Sequence, residues 1–294
     1  MSPLASRFCE RDGTRLVAES IATQFMDHVE QAPVPALGGV SDRGHRHTCN
    51  EDALALGAES LDGPVHVLVV CDGVSQARRA QESARLAAEV TCTSLLTSAR
   101  NNAEATSAMR QAVLAAHLAV CSLPDACSQV DPTKMQAPGC TLVAALVRNT
   151  HATVGWVGDS RAYRFGPDLC QRLTRDHSWF NAMVDSGEMS PAEAAASANA
   201  SAILQAVGPL NFDDRTSGEA PTADVVSCDL LPGQTLLLCT DGLWRYAPES
   251  RDLAGLLREA PSRTSPLELS RRLVEYANAR GGADNITAAI LRRT

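Results

Sequence analysis

Aspartates stand at the ends of four apolar runs in this chain, and carboxylates placed that way gather hard cations. Val67-Leu68-Val69-Val70-Cys71 leads into Asp72-Gly73, and Thr235-Leu236-Leu237-Leu238-Cys239-Thr240 leads into Asp241-Gly242. Ala152-Thr153-Val154-Gly155-Trp156-Val157-Gly158 leads into Asp159, while Asp284-Asn285 runs directly into Ile286-Thr287-Ala288-Ala289-Ile290-Leu291. Each run is short, apolar and bounded by turn residues, the pattern of a buried strand. A carboxylate at a buried strand end must find a partner or a cation. If the strands lie side by side the carboxylates converge and repel, and such a cluster of oxygen ligands suits Mg²⁺ or Mn²⁺. A single Asp-Gly is a common turn, but four sites with the same punctuation favour the metal reading.

The elements that must position these residues follow from periodicity. Strands are expected at 39–42, 52–56, 65–71, 141–147, 152–157, 161–165, 225–228, 234–239 and 286–291. Apolar residues at helical spacing predict helices over 81–97 and 106–122. Two more are expected over 250–259 and 266–280, the second with Ser265 as N-cap and Pro266 in its first turn. Residues 178–206, polar and alanine-rich, read as a helical flap inserted between two strand regions. Strands in meander-like groups with helices in pairs between them predict an α+β fold, not alternating βαβ units; two antiparallel sheets flanked by helix pairs satisfy the order.

Bulk properties narrow the functional classes. A chain of 294 residues, 45% hydrophobic, can bury an ample core. A net charge of -8 with no basic face argues against nucleic acid as a partner. No segment has the length of an apolar membrane span, and the first residues lack a secretory pattern. The ten cysteines are scattered, without metal-ligand spacing, and several fall in apolar runs. That usage predicts a reducing compartment, hence a cytoplasmic location. Residues 1–37 are expected to form an N-terminal extension. Within it Phe8-Cys9-Glu10-Arg11-Asp12-Gly13 resembles half of a zinc ribbon with one cysteine replaced by Asp12, so no zinc is expected there.

Seven segments in order carry a family likeness: Ser41-Asp42-Arg43-Gly44-His45-Arg46-His47-Thr48-Cys49-Asn50-Glu51-Asp52-Ala53, Val70-Cys71-Asp72-Gly73-Val74, Gly139-Cys140-Thr141-Leu142-Val143, Val157-Gly158-Asp159-Ser160-Arg161-Ala162-Tyr163, Leu173-Thr174-Arg175-Asp176-His177-Ser178, Leu238-Cys239-Thr240-Asp241-Gly242-Leu243-Trp244 and Gly282-Ala283-Asp284-Asn285-Ile286-Thr287. Together they resemble the metal-dependent type 2C Ser/Thr protein phosphatases of bacterial type, over residues 38–294. The resemblance implies a four-layer αββα sandwich of two antiparallel sheets. It also implies a site for two Mn²⁺ or Mg²⁺ ions, with a third optional. Asp72 would bridge both ions and Gly73 would offer its carbonyl. Asp241 and Asp284 would hold the first ion, Glu51 and Asp52 the side of the second, and Asp159 a third ion shared with Asp241. Asn285 would lie just outside these ligands. The implied reaction is hydrolysis of phosphoserine and phosphothreonine by direct attack of a metal-bridging water, without a protein nucleophile. Phosphorylated proteins, and a cognate Ser/Thr kinase, are the implied partners.

The chain departs from the family pattern in three places. Where an arginine usually clamps the substrate phosphate, counting back from Asn50 places His47, with Arg46 one residue earlier. Adjacent strand residues face opposite ways, so only one of them can occupy that place, and His lacks the bidentate fork of a guanidinium. After Asp72-Gly73 stand Val74-Ser75-Gln76-Ala77-Arg78-Arg79; Val74 cannot donate a proton, which leaves leaving-group protonation to water or another group. The flap, opened by His177-Ser178-Trp179-Phe180, is the third. Two alternative functions stay open at this level: a catalytically silent binding module on the same fold, and a metal-dependent hydrolase of small phosphate esters.

Overall fold

The apolar runs become the strands of two antiparallel sheets. The computed structural model describes residues 27–74, 77, 79–124, 137–209, 220–261 and 263–293. The zinc-ribbon-like segment around Cys9 lies outside the described residues, as does Arg78. β1 (His28–Val34), β2 (Leu37–Asp42), β3 (Asp52–Leu61) and β4 (Gly63–Asp72) come first, followed by α1 (Ala80–Arg100) and α2 (Ala105–Cys121). Next come β5 (Leu142–Arg148), β6 (His151–Val157), β7 (Arg161–Gly166) and β8 (Leu169–Arg172). The short helices α3 (Trp179–Asp185) and α4 (Pro191–Ala196) precede β9 (Asp224–Asp229) and β10 (Thr235–Cys239). The chain closes with α5 (Asp241–Trp244), α6 (Ser250–Arg258), α7 (Pro266–Ala279) and β11 (Ile286–Arg292).

One sheet has six strands in the order β1-β2-β11-β10-β7-β8, the other five in the order β3-β4-β5-β6-β9. Alternation along each strand sorts the side chains into layers. On β4, Val65, Val67, Val69 and Cys71 pack under α1 and α2 against Ala84, Leu95, Met109 and Val113. Leu68 and Val70 turn the other way and meet Leu236, Leu238, Ala289 and Leu291 between the sheets. On the far face, Leu237, Cys239, Ala288 and Ile290 pack under Leu253, Leu269, Leu273 and Val274 of α6 and α7. The expected four-layer αββα sandwich is therefore the observed one.

Ser265 caps α7 by accepting a hydrogen bond from the Glu268 N–H (3.2 Å), and Pro266 fills the first turn. The flap is less helical than its composition predicts. Gly187 and Pro191 divide residues 178–206, Ser190 starts a fresh helix with a capping box, and only α3 and α4 are helical. β1 extends the six-stranded sheet into residues read from the sequence as an N-terminal extension. It pairs antiparallel with β2, and Arg271 of α7 donates to Glu30 from Nε (2.7 Å) and Nη2 (2.6 Å). An edge strand half open to solvent needs no apolar run, so the sequence pattern does not announce it.

Candidate metal centre

The four strand-end aspartates come from both sheets, two from each. Asp72 ends β4 and Asp159 follows β6 in the five-stranded sheet; Asp241 follows β10 and Asp284 precedes β11 in the six-stranded one. They meet at one end of the sandwich across the inter-sheet layer, and not through four adjacent strands. Asp52, at the start of β3, sits directly opposite Asp72 in the β3–β4 register, an arrangement of like charges that is unfavourable unless protons or cations offset it.

Burial and mutual repulsion act together on these groups. Desolvation and then the charges of Asp52, Asp241, Asp159 and Asp284 push the Asp72 carboxyl well above the usual carboxylate range. Asp72 keeps some surface open to solvent, but its carboxylate lies deep enough among protein atoms to lose most of its hydration. Asp52 is raised in the same way by burial, with Asp241 and Asp284 adding repulsion. Asp159 is pushed up to about 8, by burial first and then by Asp241 and Asp176. Asp241 is raised by burial against the pull of Arg245, whose Nη2 lies 2.6 Å from its carboxylate. Arg245 also stands 4.0 Å from Asp284. Among the described residues no three such side chains are grouped at metal-ligand geometry, although the Asp241 and Asp72 side chains are in hydrogen-bond contact.

The polar contacts around Asp52 show what this gathering lacks. Its Oδ2 accepts from the Thr240 hydroxyl (2.9 Å) and lies 2.8 Å from the Thr287 hydroxyl. Thr240 in turn accepts from the Thr287 N–H (3.0 Å), which ties the exit of β10 to β11. The other oxygen, Oδ1, is buried without any hydrogen-bond partner. A buried carboxylate oxygen left unpaired among like charges is a cation ligand in waiting. The backbone agrees: a Cβ on Gly73 would stand 2.7 Å from the carbonyl oxygens of both Glu51 and Ala80, so only glycine lets these three segments close together beside Asp72. The residues present therefore fit divalent cations.

Of the residues expected at the site, Asp72, Gly73, Asp241, Asp284, Asp159 and Asp52 are brought to this end of the sandwich. Glu51 is held beside them by Asn285, whose Oδ1 accepts from the Glu51 N–H (2.7 Å) while its Nδ2 donates to the carbonyls of Arg43 (2.8 Å) and Cys49 (3.1 Å). His47 points its Nε2 at Asp284 Oδ1 (3.1 Å); Arg46 is exposed in the turn before it. His177 anchors the residue before Asp159, accepting from the Gly158 N–H at Nδ1 (3.2 Å) and giving its own N–H to the Gly158 carbonyl (2.9 Å).

Some supporting groups were not singled out from sequence. Arg161 bonds Asp176 through Nε (3.0 Å) and Nη2 (2.7 Å) while lying 3.5 Å over the Trp244 ring, and Trp244 Nε1 donates to the Asp159 carbonyl (3.0 Å). Arg245 is four residues beyond Asp241 on the same helical turn, a spacing that marks an ion pair, but the pair is intelligible only once Asp284 is known to approach it.

The raised carboxyls give the metal-free chain a distinctive pH dependence. Each binds its proton more tightly folded than unfolded, so the stabilisation is complete below the unfolded value of about 4 and is lost as pH climbs towards the folded value, about 8 for Asp159. With EDTA present, Tm should fall by roughly 5 °C, equivalent to ~2 kcal/mol, between pH 5 and pH 8. Saturating Mn²⁺ should flatten that slope; a metal-free Tm that stays level or rises over this interval contradicts the cluster.

Comparison with known proteins gives one consistent likeness. The protein phosphatase 2C family pattern matches residues 41–277. Among curated relatives, the serine/threonine phosphatase stp of Listeria innocua is 32% identical over 155 residues, 53% of this chain and 57% of that protein. The chain thus matches little more than half the length of that relative. Among solved structures, serine/threonine phosphatase Stp1 from Staphylococcus aureus superposes with a TM-score of 0.68 at 22% identity, covering 90% of this chain and 98% of that one. The PstP catalytic domain, crystallised with two manganese ions, superposes with a TM-score of 0.60 at 22% identity, covering 90% and 97%.

Proposed function

This chain belongs to the protein phosphatase 2C family, and on that premise we propose that it hydrolyses phosphoserine and phosphothreonine in proteins. Two Mn²⁺ or Mg²⁺ ions would be held by Asp72, Gly73, Asp241 and Asp284 on one side and Glu51 and Asp52 on the other. The two manganese ions of the related PstP domain support that number. A third ion would be shared by Asp159 and Asp241. The observation that carries this reading is Asp52 Oδ1, buried and unpartnered among four other carboxylates. When bound, divalent ions supply Lewis-acid chemistry: they acidify a water and offset charge on the phosphoryl oxygens.

The chain's own residues supply placement. Thr240 and Thr287 fix one oxygen of Asp52 and leave the other buried without a partner. Asn285 sets Glu51 by its backbone. Of the two candidate phosphate anchors, His47 is favoured, because its ring already reaches Asp284 whereas Arg46 is exposed. Arg245 places its guanidinium against the cluster, offsetting Asp241, and the charge of Arg161 also acts on Asp159. The catalytic domain on this reading takes in everything from β1 onward, with residues 178–206 as a substrate-selecting flap. A Ser/Thr kinase acting on the same proteins is the natural counterpart. The cysteines described are all free thiols, which suits a reducing cytoplasm, and no helix among the described residues is long and apolar enough to cross a membrane.

Turnover of p-nitrophenyl phosphate and of a phosphothreonine peptide, each measured with Mn²⁺ and with EDTA, tests the proposal. Mn²⁺-dependent hydrolysis of both is expected. Hydrolysis of the small ester alone would indicate a small-ester hydrolase, and none of either a silent binding module.

A further inference from the structure

The end of the sandwich opposite the carboxylates is lined by cations. His66 on β4 lies six residues before Asp72, roughly 20 Å away along the strand at ~3.3 Å per residue. β11 leaves the same end through Arg292 and Arg293, and the segment before α7 brings Arg263 over it. These four residues line one cavity of about 740 Å³, together with Ser265 at the start of α7 and an apolar floor that includes Val34 and Pro266. No aspartate or glutamate is among the described residues that line it.

Three features make this a prepared site. First, the three guanidinium groups have no carboxylate partner among the described residues; Arg292 only donates from Nη1 to the Thr264 carbonyl (3.2 Å). In a chain with 34 acidic and 26 basic residues, three such arginines around one hollow are not a consequence of composition. Second, His66 is 8% exposed, and its Nδ1 is buried with no hydrogen-bond partner; the buried Nε of Arg293 likewise has none. Both residues line the cavity, so a ligand there would sit beside side chains whose hydrogen-bonding capacity the protein itself does not fill. By strand alternation His66 shares its face with Leu68, and Arg293 shares its face with Leu291, so both look into the mouth of the inter-sheet layer. Third, α7 is a 14-residue helix whose N-terminus borders the cavity; Pro266 lacks an N–H and the Glu268 N–H is held by Ser265 Oγ, so the helix contributes only the direction of its dipole, which favours negative charge. Burial and then the nearby Arg293 charge hold His66 below the usual imidazole range, which limits its repulsion of the arginines.

We propose that this cavity is a second ligand site, separate from the carboxylate end, that binds a small organic phosphate. Guanidinium forks recognise the phosphate dianion. The volume is that of an organic ligand pocket and far exceeds a free phosphate ion, and the apolar floor gives the remainder of the molecule a surface to cover. The inference does not depend on the hydrolytic reading.

Phenylphosphonate, which resists hydrolysis, is the probe, titrated into the Mg²⁺-loaded full chain and followed by amide NMR. Saturable shifts are expected at Gly233, Thr264 and Arg293, with sub-millimolar Kd. That Kd should weaken about tenfold in Arg263→Gln, an exposed position whose change leaves the fold intact, and again in His66→Gln. Inorganic phosphate, run in parallel, should bind this end more weakly. Shifts confined to the Asp72–Gly73 end, or unchanged binding in both variants, overturn the site. Inorganic phosphate binding as tightly as phenylphosphonate overturns its assignment to an organic ligand.

Discussion

Asp72→Asn should cut Mn²⁺-dependent turnover by about a thousandfold, ~4 kcal/mol of transition-state stabilisation, and at the same time raise the Tm of the metal-free chain. The two effects have one cause. Asp72 faces four other carboxylates at the buried end of the sandwich, and their combined charge is useful only when cations are present. Asparagine keeps the shape but removes a charge, so the metal-free protein is relieved of repulsion while the ion-bridging ligand is lost. Relief of even ~1 kcal/mol shifts Tm by roughly 3 °C in a domain of this size. Activity is read from initial rates with saturating Mn²⁺, stability from thermal melts in EDTA at pH 8. A variant that loses activity and also melts lower would mean that Asp72 is a structural residue.

The second large effect is expected at Gly242. A Cβ there would stand 1.9 Å from the carbonyl oxygen of Asn285 and 2.9 Å from its carbonyl carbon, both backbone atoms that cannot rotate aside. This contact joins the start of α5, which carries Asp241, to the segment carrying Asp284. Gly242→Ala must push the two apart, at a cost of about 3 kcal/mol, or roughly 6–12 °C in Tm. Because the displaced residues are both proposed ligands, Mn²⁺ affinity should fall together with stability. Thermal melts and Mn²⁺ titration of the variant check this; a Tm within 2 °C of the parent would show that the backbone relaxes there.

How much of this was legible beforehand depended on the kind of signal. Val67 to Cys71 and Thr235 to Cys239 are continuous apolar stretches, and such stretches are buried on both faces wherever they lie, so their strands were readable from composition alone. The same holds for the aspartates that end them. Their distribution over two sheets was not readable, because an apolar run carries no record of which sheet it joins. β1 and β8 carry no such signal: both are edge strands, largely solvent-exposed, and their sequences look like loop. Thr240 and Thr287 stand in recognisable motifs, but their shared bond to Asp52 spans 188 and 235 residues of sequence, and only the fold brings them together. Arg245 is inconspicuous in the sequence for a related reason. Its partner at i−4 was visible, but a surface ion pair is ordinary, and its place beside Asp284 is a product of tertiary structure. The arginine-lined cavity around His66 was likewise invisible, since its residues come from β4, β11 and the approach to α7.

The hydrolysis proposed for this chain turns on strand-end carboxylates from two facing sheets forming a divalent-metal centre. Calorimetric titration of Mn²⁺ into the EDTA-stripped chain, repeated with Asp72→Asn, tests it most directly. Two ions should bind the parent, the number held by the related PstP domain, and the variant should bind at least ~100-fold more weakly. No saturable Mn²⁺ binding by the parent, or the same isotherm for both proteins, would contradict it.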